Sequence, residues 1–344
     1  MNTAWQVPSH WQRHPWWPRA LGALAVMVFA LTLPMTRLAN GSVSEPQWPP
    51  LFVASARAAL AGMLACAHLL WVRARWPARA HRPWLLAIVV GGVMGFPLGM
   101  GWAVRIVPAS HAAVITGLLP LCTAMLAARW LGHRPRAGFW LASAVGAGLM
   151  VVFALTASSG AASGASSLVA DASLLLGMLG ASVAYVAGAR LAREMPSSQV
   201  MSWSLVLAWP VTLLLSVHWW PDHLHSLAQA RSQILPSAWF GLAYVAVCST
   251  WLGFFLWYAA LARDAMRVSQ LQLLQPLLAM LVSASVLGEA VSWQAWLFAV
   301  AVLGVVLLGQ RMARPGQPDA ASRSSSSASS CLQVQPAIAE ASST

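Results

Sequence analysis

Long apolar runs separated by short gaps are the dominant pattern along this chain. A helix that spans a bilayer needs about 20 mostly apolar residues. Ten runs reach that length, near residues 20–38, 51–72, 84–104, 109–128, 138–156, 171–189, 199–219, 237–260, 268–287 and 293–310. The pattern predicts an all-α polytopic membrane protein, with connections short enough for one helical bundle. The opening stretch "MNTAWQVPSHWQRHPWWPR", residues 1–19, is basic and rich in tryptophan. It has no clean small-x-small cleavage site after it, so it reads as a cytoplasmic interfacial segment and not as a signal peptide.

Two of the runs repeat one phrase. "LLPLCTAMLAARWLGHRP" (118–135) and "LLQPLLAMLVSASVLGEAV" (273–291) each place a proline twelve residues before a glycine followed by a polar residue. The pairs are Pro120, Gly132 and His133 against Pro276, Gly288 and Glu289, an offset of 156. At that offset residues 102–153 align with 258–309 without a gap, pairing Trp140 with Trp296 and Gly148 with Gly304. Each copy holds five predicted helices. An odd number forces the second copy to enter the membrane from the opposite side, so the expected fold is ten transmembrane helices in two inverted five-helix repeats, residues 20–156 and 171–310. Inverted repeats supply a mechanical route to alternating access around a central site.

Charge settles the orientation. The chain has twenty basic residues, all arginine, and eight acidic ones, a net charge of +12. Sixteen arginines fall on one side of the ten-helix arrangement and two, Arg105 and Arg231, on the other, while Arg37 and Arg57 lie within apolar runs. That excess puts both termini in the cytoplasm. The arginines are spread over many short gaps and form no single patch, so the charge reads as topology and not as a nucleic-acid footprint. Composition agrees: 59% of residues are hydrophobic and 8% charged, against about a quarter charged in soluble domains. Cys66, Cys122 and Cys248 lie in apolar runs and Cys331 in the tail, with no spacing that suggests a metal or a disulfide framework.

The residues also resemble a known family. "CSTWLGFFLWYAALARDAMRVSQLQLLQPLLAMLVSASVLGEAVSWQAWLFAVAVLGVVLL" looks like the eighth to tenth helices of the EamA-like repeat of the drug/metabolite transporter superfamily, and "SARAALAGML" is similar to its second-helix arginine segment, with Arg57 at that position. The resemblance implies a multi-pass exporter of the bacterial inner membrane for a small metabolite, amino acid or drug, with two EamA-like repeats around a central cavity. His133 stands where the first repeat of the family usually has Glu, and helix one lacks the usual Trp-Gly-Ser entry.

Arg57 is the first substrate-binding candidate: about 9 Å inside the outer end of its helix at helical rise, it either faces the cavity and binds an anionic group or snorkels outward. Arg37, one residue from its helix end, reads as snorkelling. Phe96, Trp102, Tyr185, Trp251, Trp257 and Tyr258 are the candidate aromatic lining. His68 and His111 are candidate proton relays, against the plainer reading of packing histidines. Pro97, Pro120 and Pro276 are candidate helix breaks or hinges. All eight carboxylates are expected in loops, helix ends or the tail, so no ion-coupling acid is expected at mid-membrane. Glu289 reads as a structural clamp on the turn between the ninth and tenth helices. The external "HWWPDHLHS" gathers His218, Asp222, His223 and His225 on an expected loop, a weak metal signal.

Residues 157–170 are expected to be a flexible external linker, and 311–344 a disordered, Ser-rich cytoplasmic tail. A transporter needs no cofactor or catalytic group, and none is expected; the expected partners are a small-molecule substrate and the lipid bilayer, with no nucleic acid, and oligomeric state is not readable. The competing class is a polytopic enzyme acting on a lipid-linked substrate, which should carry a catalytic cluster at the interface; the weak His223 and His225 pair is the nearest thing to one.

Overall fold

The computed structural model describes residues 16–130, 137–157, 164–230 and 234–313. Each of the ten apolar windows contains helix, as expected of backbone that must satisfy its own hydrogen bonds in lipid. In chain order the helices are α1 (Trp17–Ala30), α2 (Thr32–Asn40), α3 (Pro50–Trp71), α4 (Arg82–Ile88), α5 (Phe96–Ile106), α6 (Ala109–Thr116), α7 (Leu119–Trp130), α8 (Ala137–Ala157), α9 (Gly164–Leu191), α10 (Ser197–Ala230), α11 (Pro236–Tyr244), α12 (Gly253–Leu271), α13 (Gln275–Leu287) and α14 (Trp293–Ala313). Among the described residues, six stretches are long and apolar enough to cross a membrane: Trp17–Asn40, Pro50–Trp71, Arg79–Ile106, Ser166–Leu191, Ser197–Trp220 and Pro236–Ala262.

Several helices are interrupted, and the interruptions pair up. A π-helical segment, Val89–Gly95, joins α4 to α5, and a second, Val245–Leu252, joins α11 to α12. They begin 156 residues apart, the offset of the sequence repeat. α6 stops at Thr116, two turn residues follow, and α7 begins at Leu119. In the second half a 3-10 turn, Gln272–Leu274, precedes α13. Pro97, Pro120 and Pro276 each sit at the second position of the α-helix that follows one of these interruptions.

Packing relates the halves. α3 lies along α10, with Trp76 against Trp203, Gly62 against Trp209 and Phe52 against Trp220. The order along one helix reverses along the other, so these two equivalent helices run in opposite directions. Equivalent α6 and α13 do the same: Gly117 meets Pro276, while Ala109 and Ser110 meet Glu289. α5 and its π segment pack on α9, and α12 packs on α1, an exchange of partners between halves. The α9 contact is close because it is built on glycine. A Cβ at Gly91 would lie 2.2 Å from the Gly180 carbonyl oxygen, and one at Gly99 2.3 Å from that of Ser173. Without a hydrophobic drive between helices in lipid, such small-residue contact is what van der Waals attraction needs.

Three expectations change here. The linker is shorter than expected, because helix α9 starts at Gly164 and not at 171; the small residues there are compatible with helix once it is packed. The stretch "HWWPDHLHS" is not a loop, since α10 continues to Ala230, and the expected gap between the eighth and ninth helices is helical to Leu271. Gly132, His133, residues 1–15 and the chain beyond Ala313 lie outside the described residues.

Candidate functional site

Where the breaks of both halves converge, a partly open cavity encloses ≈ 520 Å³ of atom-free space, its mouth included. Its wall draws on α1 and α2 (Phe29, Thr32), both π segments (Gly92, Ser249, Thr250) and the broken fourth and ninth helices (Thr116, Gln275). Phe96, Tyr185 and Phe254 add aromatic faces. Breaks matter because they turn polar groups inward: the Thr250 hydroxyl donates to the Val245 carbonyl five residues back at 2.7 Å, matching the π-helical spacing.

Arg57 projects from α3 into this cavity and is 4% exposed. Its Nε donates to Thr250 Oγ1 at 2.8 Å, and its Nη2 reaches Ser249 Oγ at 3.5 Å, the limit of a hydrogen bond. Ser249 Oγ is in turn 2.8 Å from Thr32 Oγ1. Nη1 is buried with no hydrogen-bond partner. Among the described residues the ion pairs are His81 with Glu194 and His111 with Asp171, so no carboxylate answers the guanidinium. Gln275 Oε1, on the opposite half, is a buried acceptor also without a partner. The cavity thus offers one unfilled cationic donor and one unfilled acceptor between aromatic walls. Snorkelling is ruled out for Arg57 by its burial.

The other candidates scatter. Phe96 and Tyr185 reach the cavity wall. Trp102 is 49% exposed, and Trp251, Trp257 and Tyr258 are not on the wall. Tyr258 is fully buried and donates to the Ala184 carbonyl at 3.2 Å; Trp251 packs edge-on against Phe255 and His68. Mid-span position brought these rings to the centre of the sequence pattern, but which way a ring points depends on helix rotation. His68 is buried among those rings with Nε2 lacking a hydrogen-bond partner. Arg37 does not snorkel: its Nη1 donates to the carbonyls of Val104 and Val107 at the end of α5. Cys66, Cys122 and Cys248 are free thiols.

Two carboxylates depart from expectation. Asp171 is the eighth residue of α9, 4% exposed, and its Oδ1 lies 2.9 Å from His111 Nε2. The later predicted start of that helix had left it at an end. Glu289 does not clamp its own turn. Gly288, at φ 64°, ends α13 in the left-handed conformation that favours glycine, and the next residue reaches across to the other half. There Glu289 Oε1 and Oε2 accept from the N–H groups of Ala109 and Ser110, both at 3.0 Å, capping α6.

Thr32, Thr116, Ser249, Thr250 and Gln275 were missed as site residues. Their signal was present: polar residues inside apolar runs, Gln275 immediately before a proline, Ser249 and Thr250 adjacent in the repeat's third helix.

Residues 16–156 and 168–309 each match the EamA-like transporter family. A protein of Bacillus subtilis (strain 168) named "Uncharacterized transporter YdeK" is 39% identical over 294 residues, covering 85% of this chain and 96% of that protein. A solved structure described as "Crystal structure of protein" shares the fold, with a TM-score of 0.56 and 21% identity over 86% of this chain and 97% of its own. With both halves matched, and a relative similar along nearly its whole length, this multi-pass membrane protein belongs to the EamA-like transporter family.

Proposed function

We propose that the chain is a ten-span transporter made of two inverted five-helix halves, residues 20–156 and 171–310, and that it exports a small anionic molecule by alternating access around the central cavity. The opposite directions of equivalent helices support the inversion. The sixteen-to-two arginine asymmetry supports cytoplasmic termini, and family membership supports a bacterial inner membrane and the outward direction. The observation that carries the substrate class is Arg57: a buried cation with one unfilled donor edge on the wall of the central cavity. A carboxylate, phosphate or sulfonate would complete it, and a hydrogen-bond donor elsewhere on the same molecule would meet Gln275 Oε1. Amino acids and hydroxy acids have that combination.

The test is accumulation in cells and inverted vesicles, with and without the protein, of a panel of amino acids, hydroxy acids, neutral metabolites and toxic cations. Selective loss of anion-bearing compounds from protein-bearing cells is expected. Selective loss of cations, or uptake in place of loss, overturns the substrate class or the direction respectively.

A further inference from the structure

Arginines that the sequence spreads over separate gaps are brought together at one end of the bundle, the cytoplasmic end in the topology proposed above. Residues 73–82, which lead from α3 into α4, carry Arg73, Arg75, Arg79 and Arg82, and the end of α9 carries Arg190 and Arg193; all six are exposed. Arg79 and Arg82 stand on either side of His81 in the chain, and His81 Nε2 lies 2.9 Å from Oε2 of Glu194, the residue after Arg193. Arg190 makes a cation–π contact 4.7 Å above the ring of Trp84. Trp76 packs on Trp203 of α10, their ring centroids 4.7 Å apart. The cluster therefore draws on both halves. Among the described residues none of the six guanidinium groups has a hydrogen bond or an ion pair. The single acid in residues 70–86 and 190–197 is Glu194, already taken by His81.

The backbone carries a second, independent sign. Arg73 closes α3 with φ 49°, a left-handed conformation that glycine takes freely and arginine only at a cost. Its N–H donates to the Leu70 carbonyl at 3.1 Å and that of Ala74 to Leu69 at 3.0 Å. A long cationic side chain kept where glycine is the easier choice points to work done by that side chain. Beside it Leu70, Trp71 and Trp76 are largely exposed, an apolar and indole rim of the kind that sits at headgroup level.

We propose that this end of the bundle is a binding site for an anionic phospholipid of the adjoining leaflet, its phosphate held between the arginines of residues 73–82 and those of α9, its acyl chains laid against Leu70 and Trp71. Charge selects the headgroup: six cations, none paired with an acid, attract a net negative phosphodiester and repel the ammonium of a zwitterionic lipid. The rim selects a lipid over a free anion, which has nothing to place there. Setting topology requires arginines only on the correct side of the membrane. It does not require them to meet across the halves or to hold a left-handed backbone.

The test uses the full chain in a neutral detergent, without substrate. Bound lipid is counted by native mass spectrometry during titration with phosphatidylglycerol, or with phosphatidylcholine of the same acyl chains, each with and without excess inorganic phosphate at constant ionic strength. The expected result is tighter binding of phosphatidylglycerol by about tenfold or more, unaffected by inorganic phosphate. Combining Arg79→Gln, Arg82→Gln and Arg193→Gln should erase the preference, since each arginine near the headgroup contributes about fivefold. Arg105→Gln, at the opposite end of the span that begins at Arg79, should keep it. Arg73→Gly should melt no lower than the parent, because glycine relieves the backbone, yet bind phosphatidylglycerol about fivefold more weakly. If the triple variant does not remain folded, Arg73→Gly decides alone. Equal binding of the two lipids, a preference kept in the triple variant, unchanged affinity in Arg73→Gly, or a preference lost equally in Arg105→Gln overturns the site. Displacement by inorganic phosphate overturns the lipid in favour of a free anion. Neither substrate nor transport enters the measurement, so its failure leaves the reading of Arg57 standing, and a failed transport panel leaves this result intact.

Discussion

Replacing Arg57 by methionine separates a residue kept for substrate from one kept for the fold. Of its guanidinium contacts, only Nε to Thr250 at 2.8 Å is a good hydrogen bond; the contact to Ser249 is 3.5 Å, and Nη1 has no partner. Losing the good bond costs about 1.5–3 kcal/mol, as for hydrogen bonds to charged groups. Removing an unsatisfied buried polar group returns about 1–3 kcal/mol, and methionine fills the channel left by the aliphatic stem. Thr250 keeps its bond to the Val245 carbonyl. The two terms offset, so Arg57→Met should melt within about 1–2 kcal/mol of the parent without substrate. Substrate binding behaves differently: removing one partner of a buried, hydrogen-bonded charge pair costs about 2–5 kcal/mol, roughly 30-fold or more in Kd. Thermal unfolding in detergent and transport of the best substrate from the panel give the two readouts. A variant that unfolds far below the parent while the surviving fraction transports normally would refute the reasoning and make Arg57 a structural residue.

Gln275→Leu removes the unfilled acceptor; affinity should fall by about 5- to 30-fold for a substrate carrying a donor and hold for an analogue lacking it, measured by competition for transport. Glu289→Ala strips both oxygens from the N-terminus of α6 and should lower stability by about 1–2 kcal/mol, the size of a lost cap, whereas Glu289→Gln should lose about half as much, each read as a shift in melting temperature. Gly91→Ala drives a methyl to 2.2 Å from the Gly180 carbonyl oxygen, while nothing lies within 4 Å of a methyl at Gly148. Size-exclusion chromatography should show loss of folded protein for the first, since backbone on both sides has little room to yield, and no change for Gly148→Ala.

Much of this architecture was legible because lipid imposes a simple code. Apolar length reported helix positions, and the prolines of the repeated phrase and the glycine of its second copy marked real breaks and a real left-handed cap. What failed did so for one reason: apolar periodicity is nearly uninformative when a helix is apolar all round. Rotation about the axis decides that Tyr185 faces the cavity while Trp102 is exposed, and neither differs in hydropathy. Boundaries failed likewise. Small residues at Gly164–Ser167 look like a linker until α9 packs, and the polar stretch after Trp219 looks like a loop although helix continues through it. Asp171 was misplaced as a direct result, and with it the His111 pair.

The paired interruptions explain why a cavity exists in a bundle this tightly packed. Helices meeting through glycine, as α9 meets the first π segment at Gly91 and α5 at Gly99, leave no room between them. A π segment widens the helix by one residue and frees carbonyl geometry that a hydroxyl can use, as Thr250 does. Two such segments 156 residues apart, together with the breaks before Pro120 and Pro276, bring four irregular stretches to the interface of the halves. Irregular backbone at membrane depth is tolerable where it lines a cavity or is buried in protein, so duplication of the repeat duplicated the breaks, and their convergence made the site. The symmetry does not extend to the side chains. Arg57 reaches one π segment only, and Gln275 answers from the opposite half, so each half contributes different chemistry to one shared space. A substrate touching both would sense any change in their separation, which is the coupling between binding and movement that alternating access requires.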